Sequence, residues 1–170
     1  LGDVYKRQEF DINKIKLVTI DIEVKSEKGF PTVQACDEEM LCITLQDYAT
    51  KRILTFGVGP YHHNDPMIKY VQCSDEYDML QHFIKFWSHD PPEVVTGWNC
   101  QLYDIAYLAK RITRVLGEKA CKKLSPWGLV THEDIYLQGR AHTVYDIGGV
   151  TVLDYLDLYR KFTYKAQESY

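Results

Sequence analysis

The 170-residue sequence has no cysteine pair at C-x-x-C spacing, no excess of positive charge, no internal repeat and no low-complexity tract. It also has no apolar run near the ~20 residues that a membrane-spanning helix requires. Its five cysteines, Cys36, Cys42, Cys73, Cys100 and Cys121, are odd in number and show no zinc-type spacing with His62 and His63. They read as free thiols of a reducing compartment. Lys and Arg number 20 against 24 Asp and Glu, a net charge of −4. Contact with a polyanion must therefore be local, or be supplied by a basic partner.

Hydrophobic residues make up 45% and charged residues 26%. This is an ordinary globular composition, long enough for one domain to fold on its own core without disulfides or a structural metal. Residues 1–8 (LGDVYKRQ) follow no periodic pattern and read as a non-native tail, which leaves 9–170 for the fold.

Alternation predicts strands over 16–24, 41–48 and 52–58, the last two joined by a short turn at 47–51 into a hairpin. The stripe Leu80, Phe83, Ile84 and Trp87 predicts a helix over 75–87, capped by Ser74 or Asp75. A short strand over 93–98 precedes a helix over 103–116, which Gly117 ends. Residues 125–149 read as irregular and polar, with at most two short strands. A strand over 150–153 and a helix over 154–162 follow, and Asp154 and Asp157 are expected to start that helix. The expected class is α/β, a mixed sheet flanked by helices.

Two places in this frame carry chemistry. In Asp21-Ile22-Glu23 the carboxylates lie two residues apart on a strand, so they share a face opposite Ile20 and Ile22. Side by side they repel each other and resist desolvation, and a hard divalent cation offsets both costs. Asp104 lies where a strand hands over to a helix, a position suited to a ligand in a sheet with helices on its faces. It could equally serve as a helix cap. If the three acids converge, they could hold two Mg²⁺ or Mn²⁺ ions for phosphodiester hydrolysis.

Three segments in order, DIEVKSEKGFP from Asp21, VVTGWNCQLYDIAYLAKRI from Val94 and VTVLDYLDLYRKF from Val150, resemble the proofreading 3′→5′ exonuclease domain of family B DNA polymerases. The likeness covers roughly residues 14–170 and is nearest to the replicative enzymes of tailed phages. It implies a ribonuclease H-like fold, with Asp21, Glu23 and Asp104 as catalytic ligands of two Mg²⁺ or Mn²⁺ ions. It further implies that Asn99 helps hold the primer strand and that Phe30 packs on its terminal base. Implied partners are a single-stranded primer 3′ end, a polymerase domain in the same full-length chain and a sliding clamp, all in the cytoplasm of a bacterial host.

The family's third motif, Tyr-x-x-x-Asp, is not found. Tyr61 and Asp65 have its spacing, but they lie between the first two motifs and read as a loop. The sequence is therefore expected to be a domain fragment lacking that segment, with little activity alone. Lys119, Lys122 and Lys123 read as a solvated helix exit, and His62, His63 and His132 as surface residues. The rival readings are a stand-alone ribonuclease H-like exonuclease and a non-catalytic nucleic-acid-binding fragment of the same fold.

Overall fold

The computed structural model describes residues 11–137 and 139–163, so the expected tail at 1–8 lies outside the described residues. Strand β1 (Leu17–Val24) buries Val18, Ile20 and Ile22 and turns Asp21 and Glu23 outward, as its alternation predicts. Strands β2 (Met40–Asp47) and β3 (Ile53–Val58) form the expected antiparallel hairpin. Its turn closes on Asp47, whose Oδ1 accepts the Thr50 N–H and hydroxyl, each at 2.6 Å.

A further strand, β4 (Ile68–Cys73), was not expected; it pairs parallel with β3 from Ile53↔Ile68 to Val58↔Cys73. Helix α1 (Glu76–His89) follows, capped by Asp75, whose carboxylate accepts the Asp78 N–H at 2.8 Å. Strand β5 (Val94–Gly97), helix α2 (Asp104–Leu116) and a one-turn helix α3 (Glu118–Cys121) come next. Gly117, at φ 89°, ends α2 in the left-handed region that favours glycine. Lys119, Lys122 and Lys123 are exposed, as a solvated helix exit requires.

The region expected to be irregular contains two eight-residue strands, β6 (Val130–Leu137) and β7 (Arg140–Ile147). They pair antiparallel as a separate two-stranded sheet. Most side chains of β6 are exposed, so the segment carries no apolar period that a sequence reading could detect. Strand β8 (Thr151–Asp154) and helix α4 (Tyr155–Phe162) complete the described chain.

The main sheet has the order β4-β3-β2-β1-β5-β8, and only β2 runs against the other five. The carboxyl ends of β1, β3, β4, β5 and β8 therefore share one edge. This is the mixed α/β sheet with flanking helices that the ribonuclease H-like expectation describes.

Helices α1 and α2 bury Met79, Leu80, Phe83, Trp87, Ile105, Leu108 and Ile112 in the core that also takes Ile20, Ile43 and Phe56. A buried ion pair ties the two helices together. Arg111 Nε donates to Glu76 Oε1 at 2.8 Å and Arg111 Nη2 bonds Glu76 Oε2, while Glu76 Oε1 also accepts the Met40 N–H at 2.9 Å. Removing one partner of such a pair costs about 3–5 kcal/mol, because the other charge is left buried.

Candidate active site at the sheet edge

The site is built where β5 stops and β1 continues. The β1–β5 ladder runs only to Thr19↔Thr96, so the Ile22 amide lies past its end. Gly97 closes β5. A Cβ there would stand 2.7 Å from the Ile20 carbonyl oxygen and 2.8 Å from Cys100 Cβ, so the absence of a side chain is what lets the chain leave β5 pressed against β1. The chain turns sharply at Asn99, whose φ of 58° lies in the left-handed region that asparagine tolerates better than most residues.

Asp154, at the end of the neighbouring strand β8, fixes this turn. Its Oδ1 accepts the Asn99 N–H at 3.0 Å and the Leu156 N–H at 2.9 Å, and its Oδ2 accepts the Gln101 N–H at 3.0 Å. It starts α4 as expected, and it also reaches back to the loop that carries Asp104. That second role was not read from the sequence, because those partners lie 53 and 55 residues earlier.

Asp104 is the first residue of α2 rather than its cap, and it is buried at 5% exposure. Its Oδ1 accepts the Ile22 N–H at 3.1 Å. The carboxylate thus takes up the β1 amide left over where β5 ends, directly between Asp21 and Glu23. Burial, with the Asp21 charge second, pushes the Asp104 carboxyl up to about 7. Burial also raises the carboxyl of Asp21. The phenol of Tyr103 is pushed up to about 12 by burial, then by the charges of Asp104 and Glu23.

Phe30 is 80% exposed, and its ring centroid lies 5.5 Å from that of Tyr103, so the loop after β1 stands beside the start of α2. Asn99 stands on the adjoining loop. It lines a cleft of about 450 Å³ together with Gln101, Glu133, His142 and Arg160. Asp21, Glu23, Asp104 and Phe30 therefore gather around one strand end and one helix start, with Asn99 on the adjoining loop.

The donor set is carboxylate oxygen throughout, which suits hard divalent cations such as Mg²⁺ and Mn²⁺. The three carboxylates are not all within 4.8 Å of one another. Among the described residues that spacing occurs for a different group, Cys73, Asp78 and His82. No described helix is long and apolar enough to cross a membrane.

A family model described as DNA polymerase family B, exonuclease domain, matches residues 2–170. The DNA-directed DNA polymerase of Escherichia phage RB69 is 29% identical over an alignment of 196 residues, covering 100% of this chain and 22% of that protein. The DNA-directed DNA polymerase of Enterobacteria phage T4 is 29% identical over 191 residues, covering 96% of this chain and 21% of that protein. The DNA polymerase catalytic subunit of Human herpesvirus 8 type P is 30% identical over 107 residues, 58% of this chain. The chain spans about a fifth of the length of the two phage relatives. With the family model matched from residue 2 to residue 170, the chain belongs to the exonuclease domain family of the family B DNA polymerases.

Proposed function

We propose that this chain is the proofreading part of a family B DNA polymerase, removing the 3′-terminal nucleotide of a mispaired primer by hydrolysis of its last phosphodiester. The observation that carries this reading is the Asp104 carboxylate on the Ile22 amide, between Asp21 and Glu23. In this reading Asp21, Glu23 and Asp104 hold two Mg²⁺ or Mn²⁺ ions. Such ions, when bound, make water nucleophilic near neutral pH and stabilise the leaving oxygen.

The chain's own residues set up the rest. Asp21 and Glu23 present two carboxylates from a strand paired with β2 along their length, just past the end of its ladder with β5. Burial and the neighbouring charge of Asp21 leave Asp104 primed to give up a proton when a cation arrives. Phe30, exposed beside Tyr103, offers a face on which the terminal base stacks, a contact that tolerates any base. Asn99 contacts the primer strand from its cleft. A mispaired end frays at lower cost than a paired one, so it reaches the site more often. The implied setting is a full-length polymerase with a sliding clamp, in the cytoplasm of a bacterial host.

The test is made in a full-length polymerase carrying this domain, on a 3′-mispaired primer with Mg²⁺. Asp21→Ala is expected to slow nucleotide removal by several orders of magnitude, and a loss of less than tenfold would rule out its role as a metal ligand. With three acids for two ions, the 170-residue chain alone is expected to digest the primer only weakly. Vigorous Mg²⁺-dependent digestion by it would show that these acids suffice.

A further inference from the structure

We propose that Cys73, Asp78 and His82 form a binding site for a borderline-soft divalent ion of the zinc class, at the corner where β4 meets α1. Their ligand atoms all lie within 4.8 Å of one another, the described group of this kind in the chain. Cys73 closes β4 and is buried, while Asp78 and His82 stand one turn apart on α1. The spacing Cys-x₄-Asp-x₃-His thus spans a strand end and the first turns of a helix.

One pair of these atoms already has the spacing of two ligands on a bound ion. His82 Nδ1 lies 3.1 Å from Asp78 Oδ1. Nitrogen and oxygen ligands on a tetrahedral zinc ion sit about 3.3 Å apart, given metal–ligand bonds of about 2.0–2.2 Å. Asp78 is already oriented, because its Oδ2 accepts the Ser74 N–H at 3.0 Å and the Ser74 hydroxyl at 3.4 Å. Hydrogen bonds of this kind hold metal-binding carboxylates in place. The helix does not need Asp78 as its cap, since Asp75 fills that position. His82 Nδ1–H donates to the Asp78 carbonyl oxygen at 2.9 Å, a contact that the ion would replace. The Cys73 thiol has a weak bond to the Val71 carbonyl, at 3.5 Å.

Charge and softness select the ion. A Cys73 thiolate and the Asp78 carboxylate carry two negative charges, which one divalent cation neutralises. Thiolate and imidazole favour Zn²⁺ or Co²⁺ over Mg²⁺. The side chains of His82 and Asp78 are 49% and 35% exposed, so water can complete the coordination from the open side. The corner shares the carboxyl edge of the sheet with Asp21 but lies three strands away, about 14 Å at the usual strand spacing. The two sites are thus distinct, and this one does not rest on the nuclease reading.

The experiment is a titration of the reduced 170-residue chain with Co²⁺ as a spectroscopic probe, in the presence of a large excess of Mg²⁺. One equivalent is expected to produce a near-ultraviolet sulfur-to-cobalt charge-transfer band. Zn²⁺ is expected to bleach it. Cys73→Ser is expected to abolish the band, and His82→Gln to weaken Co²⁺ affinity at least tenfold. The absence of a band, its persistence in Cys73→Ser, or its loss to Mg²⁺ would overturn the proposal. Because His82 is half exposed, His82→Gln remains decisive if Cys73→Ser disturbs the buried corner. Unchanged affinity in that variant also overturns it.

Discussion

Among single residues, Asp104 combines a buried carboxyl with a fixed acceptor role toward the Ile22 amide. Its folded-state pKa of about 7 lies above the ordinary 3.8, so the native protein binds this proton more tightly than the unfolded chain. The stability tied to it is full below pH 3.8 and is lost as pH rises through about 7. The whole effect is on the order of 4 kcal/mol at about 1.4 kcal/mol per pKa unit. In EDTA, Asp104→Asn is therefore expected to be more stable than the parent at pH 8 and nearly equal to it at pH 4. Paired urea denaturation curves at the two pH values check this, and a parent with no decline across that window would contradict the burial argument. Position 104 was legible in the sequence as an acid at a strand-to-helix junction only because residues 94–98 and 105–116 have clear and different periods.

Among elements, the loop at 98–103 depends on Asp154 of β8 for two of its amides. Asp154→Ala removes those acceptors along with the α4 cap, the cap alone being worth about 1 kcal/mol. At a temperature where the variant stays folded, nucleotide removal by the full-length polymerase is expected to fall at least tenfold. Asp154→Asn, which keeps Oδ1 for Asn99 and Leu156, is expected to recover most of it. Equal rates in the parent and Asp154→Ala would leave Asp154 as a cap alone. Sequence reading placed β1, β2, β3, β5, α1, α2, β8 and α4 because each has an apolar face with a clean period. It missed β4, a short edge strand whose burial is mixed, and the full length of β6 and β7, which project polar side chains away from the core. Glu76, in the first turn of α1, is buried. Its burial follows from Arg111, 35 residues later, which local pattern does not reveal.

At the scale of the whole molecule, a chain of net charge −4 places Asp21, Glu23, Asp104 and Asp154 along the same carboxyl edge of its sheet. A cation bound there would relieve repulsion that folding alone leaves in place, and below about pH 7 it must displace the Asp104 proton to do so. Mg²⁺ or Mn²⁺ is therefore expected to raise the melting temperature more at pH 8 than at pH 5, by a few degrees, with the difference abolished in Asp104→Asn. Scanning calorimetry with and without the ion checks it, and a pH-independent shift would place the cation elsewhere. The order of the strands has a consequence for synthesis. β1 and its two acids leave the ribosome early, but the ladder that seats the Asp104 loop ends with β8. The nascent polypeptide thus lacks the acceptor that holds the loop before Asp104 until Asp154 has emerged, and the acidic edge is complete only once the sheet has closed.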